Sequence, residues 1–212
     1  MSLTPENTAI LMIDHAVGFG TLFRSHDIAA HVNNTVALAK IAKAYGVPLV
    51  VTNGADTDAP GPLFPQLKAQ LGDTKVLVRS GNFNVFDTPE VAAAVKATGR
   101  KKLLLSGLMT EGCVLLSALS AVDRGYEVHV VVDAVAGETS ETHHAAVQRM
   151  VQAGVVPVTW LSLASEYQVT YENLATVGQF MGLMDQHSPA LGMFLQNSIA
   201  RQATLDHATA SA

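Results

Sequence analysis

The chain has one cysteine in 212 residues, Cys113. A single thiol cannot close an internal disulfide, so a disulfide scaffold and a Cys-rich zinc module are both excluded, and a reducing compartment is implied. Charge is sparse as well. Only 15% of residues are charged, and 13 Lys and Arg against 18 Asp and Glu leave a formal net charge of −5. Beyond Arg100-Lys101-Lys102 there is no basic cluster. The chain therefore lacks the positive field that phosphate-backbone binding needs, and no nucleic-acid partner is expected. Long apolar runs are missing too. None approaches the roughly 18 residues that span a bilayer, and the opening MSLTPENTAILMID has no basic region ahead of a long apolar stretch. The expectation is a cytoplasmic protein with no membrane partner.

What is present reads as alternating strands and helices. Thr8-Ala9-Ile10-Leu11-Met12-Ile13 is an unbroken apolar run, too short for an ordinary helix, and predicts a strand buried on both faces. From about His31 to Tyr45, Leu38, Ile41, Ala42 and Tyr45 follow helical spacing, with Gly46 and Pro48 as the stop. Further strands are expected over 48–52, 75–78, 102–106, 127–132 and 155–159, with a Pro/Gly-rich loop between 52 and 75. Asp87-Thr88-Pro89-Glu90 predicts a capped helix start, Glu90 reaching back to the cap. Another helix is expected from about Gly112 to Arg124, and a later one with Val147, Met150 and Val151 on one face. After Trp160 the pattern is helical. Strands without internal polar breaks, alternating with helices, mean a three-layer α-β-α fold with a mostly parallel central sheet.

In such sheets ligands bind beyond the carboxyl ends of the strands, and this rule sorts the polar residues. Asp14 ends the first strand, Arg79 the third, and Cys113 follows the fourth at the start of a helix. A helix N-terminus favours the thiolate, Arg79 would add to that, and Asp14 could take the thiol proton and return it to a leaving group. Phe19 and Phe23, close after Asp14, either line the pocket or pack. Asn82 and Asn84 either contact substrate or form the turn. His15 should point away from Asp14, which favours a structural role. His143-His144 opens a helix with its two rings facing different ways, and a solvated or capping role is expected rather than a shared metal. Gly18-Phe19-Gly20 lacks the third glycine of a dinucleotide fingerprint and is taken as a loop.

Ser106-Gly107-Leu108-Met109-Thr110-Glu111-Gly112-Cys113 resembles the G-x-x-T-x-x-C nucleophile loop of the isochorismatase-like cysteine hydrolases. Ile13-Asp14-His15, the stretch Arg79 to Asp87, and Lys96 to Lys101 resemble its YcaC-type branch. The resemblance implies Cys113 as nucleophile, Asp14 as general base and Arg79 in the triad's basic position, where most of the family has lysine. It also implies an oxyanion hole from the Met109 and Cys113 amides, and a cis peptide at Met109-Thr110. Arginine cannot relay a proton, so thiolate stabilisation carries over and proton relay does not. Asn53-Gly54-Ala55-Asp56-Thr57-Asp58 contains no histidine where related nicotinamidases hold a metal, so neither a metal nor another cofactor is expected.

The resulting expectation is a hydrolase domain over 1–180, with a C-terminal helical extension and tail over 181–212 serving oligomer contact. Its substrate is a small amide or related carbonyl compound, and the branch resemblance implies a ring-based homo-oligomer, an octamer among the options. The alternative is an oligomeric binding or scaffold protein of the same fold with little turnover.

Overall fold

The computed structural model describes residues 2–79 and 81–210, the last seven by backbone alone. Six strands form one sheet: β1 (Thr8–Ile13), β2 (Leu49–Asn53), β3 (Val76–Val78), β4 (Lys102–Leu108), β5 (Glu127–Ala136) and β6 (Val156–Val158). Their order is β3-β2-β1-β4-β5-β6, and every neighbouring pair is parallel. The helices are α1 (Ile28–Tyr45), α2 (Pro65–Leu71), α3 (Pro89–Ala97), α4 (Leu115–Asp123), α5 (Ser140–Gln152), α6 (Trp160–Gln168), α7 (Val177–His187) and α8 (Pro189–Ala210).

Alternation along β1 divides the core in two, because successive side chains leave a strand on opposite faces. Ile10 and Met12 pack with Leu38 and Ile41 of α1, Leu163 of α6 and Leu183 of α7. Ala9, Leu11 and Ile13 pack with Val91 and Val95 of α3, Ala118 of α4 and Met150 of α5. Leu103, Leu104 and Leu105 of β4 are fully buried between these layers, each worth about 1.5–3 kcal/mol against exposure. This is the three-layer α-β-α sandwich with a parallel sheet that the strand pattern predicts. Among the described residues no helix is long and apolar enough to cross a membrane.

Several local expectations are revised. The Pro/Gly-rich stretch after β2 contains α2, with Pro65 in its first turn, where a missing N–H costs nothing. Thr88 precedes α3 but makes no side-chain cap. Asp87 is engaged instead by Asn84, whose Nδ2 donates to its Oδ1 at 2.8 Å. On α5 the buried face is His143, Ala146 and Met150, while Val151 is 46% exposed. The strand from Glu127 runs on to Ala136 rather than ending at 132. Helix α7 passes continuously through residue 180, with Leu183 and Met184 in the core.

One glycine fixes how closely two central strands meet. Gly107 of β4 pairs with Ile13 of β1, and a Cβ at Gly107 would lie 2.3 Å from the Ile13 carbonyl oxygen. Just past that contact, Asp14 leaves β1 with φ 51°, a left-handed conformation that costs a non-glycine residue energy and is tolerated best by Asp and Asn.

Candidate active site

Three strand ends bring Asp14, Arg79 and Cys113 together at one rim of the sheet. Asp14 follows β1, with its N–H donating to the Thr52 carbonyl at 3.0 Å. Arg79 follows β3, with its N–H donating to the Asn53 carbonyl at 3.0 Å. Cys113 lies in a π-helical turn, Thr110–Val114, between β4 and α4. The expected α-helix from Gly112 therefore starts later, at Leu115, and the wider turn precedes it. The Met109 carbonyl accepts from both Gly112 N at 3.1 Å and Val114 N at 3.3 Å, which ties the turn to the end of β4. The non-proline cis peptide lies at Leu108–Met109, one bond earlier than Met109-Thr110.

The Arg79 guanidinium joins the other two groups. Its Nε donates to Asp14 Oδ1 at 3.2 Å, and its Nη2 donates both to Asp14 Oδ2 and to Cys113 Sγ, the latter at 3.2 Å. Its Nη1 donates to the Asn82 carbonyl. Thr52 Oγ1 donates to Asp14 Oδ1 at 3.4 Å. The Asp14 and Arg79 side chains are only 7% and 5% exposed, and Cys113 is buried. This is a two-point carboxylate–guanidinium pair with its remaining reach on the sulfur, a geometry lysine cannot supply.

Electrostatics here run against the expectation of a resting thiolate. Burial and the charge of Asp14 push the Cys113 thiol up to about 11, and Arg79 opposes them only in part. Burial also raises Asp14 above the usual carboxylate range, against the pull of Arg79. The raised value favours the neutral thiol over the thiolate at rest. Helix-terminus stabilisation, inferred from position alone, is outweighed by desolvation, which disfavours the charged form of any buried group.

A pocket of ≈ 250 Å³ opens onto the three groups, lined also by Phe19, Gly54, Asp58, Pro60, Gly81, Asn82 and Phe83. Of the two phenylalanines considered from sequence, Phe19 lines this pocket. Phe23 is buried in the core against His31, ring centroids 5.0 Å apart. Of the two asparagines, Asn82 lines the pocket, whereas the Asn84 side chain accepts from Phe86 N at 3.1 Å and makes the turn. Phe83, 62% exposed at the mouth, and Asp58 escape sequence reasoning. Each sits in a loop whose approach to Cys113 leaves no mark in spacing. A larger groove, ≈ 660 Å³, lies at the opposite end of β2, around Val47, Pro48 and Gly72, away from this trio.

Behind the Thr110–Val114 turn, His143 is buried rather than solvated. Its Nδ1 lies 3.0 Å from Thr110 Oγ1, and the His26 ring meets it edge-on with centroids 4.8 Å apart. Burial and the neighbouring His26 and His144 lower its pKa to about 4, so it is neutral at pH 7. His144 contacts the Ser140 carbonyl at 2.7 Å on the surface. His15 points away from the pocket, its Nε2 3.0 Å from Ser106 Oγ.

With this geometry in view, comparison with known proteins is decisive about ancestry. A family model described as the isochorismatase domain matches residues 8–162. The chain is 39% identical over 171 residues to the probable hydrolase YcaC of Escherichia coli, covering 81% of this chain and 82% of that protein. The crystal structure of the Escherichia coli YcaC gene product, described as an octameric hydrolase of unknown specificity, superposes with a TM-score of 0.89 at 36% identity. It covers 97% of this chain and 98% of that one. YcaC from Pseudomonas aeruginosa, solved with hexane-2,5-diol and covalent acrylamide, superposes with a TM-score of 0.88 at 33% identity, covering 92% and 96%. The chain belongs to the isochorismatase family, as a YcaC-like hydrolase.

Proposed function

We propose that the protein is a cysteine hydrolase of small amides or related carbonyl compounds, working through Cys113, Asp14 and Arg79. The observation that carries this reading is one guanidinium bridging a buried carboxylate and the chain's only thiol at the floor of a pocket. Asp14 takes the thiol proton as Sγ bonds to the carbonyl carbon, and the displaced electron pair moves to the carbonyl oxygen. The Met109 and Cys113 amides receive that oxyanion, and such preorganised donors contribute about 3–4 kcal/mol. Collapse breaks the C–N bond as Asp14 returns the proton to the departing nitrogen. A water that yields its proton to Asp14 then attacks the thioester, the C–S bond breaks, and the thiol is restored. Because the resting thiol is neutral, proton transfer accompanies attack, which is general-base rather than preformed-thiolate catalysis.

Arg79 acts by holding the carboxylate at two points and steadying negative charge on sulfur. It passes no proton. The pocket is smaller than the roughly 300–1,000 Å³ of drug-sized sites, which suits a small substrate. Covalent acrylamide in the Pseudomonas aeruginosa neighbour gives this reading a chemical parallel. A homo-octamer, as in the Escherichia coli neighbour, fits the apolar side chains that α8 exposes at Met193, Phe194 and Ile199, and a cytoplasmic setting fits the free thiol. The test is a panel of amides, carbamoyl compounds and esters assayed with wild type and Cys113→Ala in parallel. Turnover lost in the variant supports the proposal, and equal turnover in both refutes it.

A further inference from the structure

The pocket over Cys113 carries few charged groups. Among its described lining residues the charged side chains are Asp14, Asp58 and Arg79. Arg79 is committed: Nε and Nη2 to Asp14, Nη2 also to Cys113, and Nη1 to the Asn82 carbonyl. Its charge is offset by Asp14, so a substrate carboxylate could reach it only by displacing the catalytic base. Asp58, exposed at the pocket's rim, is the lining charge with no ion-pair partner among the described residues. It stands on the loop between β2 and α2, where its Oδ2 accepts the Ala55 N–H at 2.9 Å. A Cβ on Gly54 would come within 3.0 Å of that same oxygen, so the bare backbone at Gly54 lets the carboxylate lie against the pocket wall. The nearby Lys68 is drawn to Asp56 instead, at 3.8 Å. The other walls, Phe19, Pro60 and Phe83, present apolar surface.

We infer that Asp58 makes the site select uncharged or cationic carbonyl substrates and reject those bearing a carboxylate. The neutral Asp14–Arg79 pair keeps the reacting centre from attracting anions, and a net charge of −5 works in the same direction. A charge exposed at the rim of a small pocket, at a dielectric near that of water, changes the local concentration of a charged ligand by about two- to fivefold.

This inference takes the pocket as the substrate site of the proposed hydrolase, but its test needs no turnover, so the two can fail separately. Cys113 is the only thiol, so alkylation reports on this pocket alone. Sulfur displaces iodide from iodoacetamide or iodoacetate, forming the C–S bond as the C–I bond breaks, and the thiol proton leaves to Asp14 or solvent. Each rate is divided by that of the urea-unfolded chain to remove intrinsic reactivity. The expected result is iodoacetamide favoured over iodoacetate by at least about twofold in the wild type. In Asp58→Asn, which keeps an oxygen for the Ala55 N–H, that preference falls to near one. Raising NaCl to about 1 M, where the screening length is about 3 Å, should shrink the wild-type preference without any substitution. A wild-type preference near one or favouring iodoacetate, or an unchanged preference in folded Asp58→Asn, overturns the inference.

Discussion

Replacing Asp14 by asparagine should make Cys113 more acidic while sharply slowing turnover, the pairing expected of a general base. Burial and the Asp14 charge together raise the thiol to about 11; the substitution removes the second and leaves Arg79 unopposed. Unit charges about 4 Å apart interact by about 4 kcal/mol at an effective dielectric of about 20. At 1.36 kcal/mol per pH unit that is about three units at most. Local screening cuts this, so the midpoint should fall by about one to three pH units, and the thiolate fraction near neutrality should rise at least about tenfold. The assay is the second-order rate of iodoacetamide labelling from about pH 6 to about pH 11, beside amide turnover, which should drop about 10²- to 10⁴-fold. Removing one partner of a buried ion pair costs about 3–5 kcal/mol, so circular dichroism at each pH checks folding. Asp14→Asn combined with Arg79→Met serves as a control without the stranded cation. A midpoint that stays at about 11 or climbs in folded Asp14→Asn would refute this electrostatic account.

Three further outcomes follow from other parts of the molecule. Among the described residues neither ring nitrogen of the fully buried His31 has a partner, and burial together with His26 lowers its pKa to about 3. Below about pH 6.5 the unfolded chain binds a proton that the native chain refuses, so stability present above that pH is lost as pH falls, by about 2 kcal/mol at pH 5. His31→Leu should remove that loss in urea titrations at pH 7 and pH 5; an equal loss in the variant refutes the assignment. Gly107→Ala forces a methyl group against Ile13 and should lower stability by about 1–3 kcal/mol or more, read as a fall in Tm, whereas an unchanged Tm contradicts the packing at β1 and β4. His143→Ala removes the contact to Thr110, worth about 1 kcal/mol, and should slow turnover about fivefold. His143→Gln should recover part of the rate, and no difference between the two variants would argue against a positioning role.

The sheet is the most legible part of the chain. Thr8–Ile13 reads directly as β1 because all six residues are buried, so periodicity has no competing signal. Where a polar side chain has a private partner the pattern misleads. Asp133 interrupts the apolar run of β5, yet its Oδ1 accepts the Trp160 N–H at 3.0 Å and the strand continues to Ala136. Pro65 reads as a loop residue but is also the residue best suited to start a helix. At the site, strand-end logic brings Asp14, Arg79 and Cys113 to one rim, because topology alone determines that meeting. The direction of the Cys113 shift is not legible, since it depends on burial, which spacing does not encode. His143 is hidden for a related reason: its partner, Thr110, is 33 positions away and on a different element.

Asp14, Arg79 and Cys113 are separated by 65 and 34 positions in the chain and stand just after β1, just after β3 and in the turn after β4. Two of those strands are not neighbours, with β2 between them. A partly assembled polypeptide thus carries an ordinary cysteine, free of both the carboxylate's field and the guanidinium's grip. The sulfur's particular surroundings therefore come into being only with the finished sheet, and the thiol of an unfinished or damaged copy keeps the acidity of a free cysteine. The same sulfur, by how it answers an alkylating reagent, distinguishes finished molecules from unfinished ones.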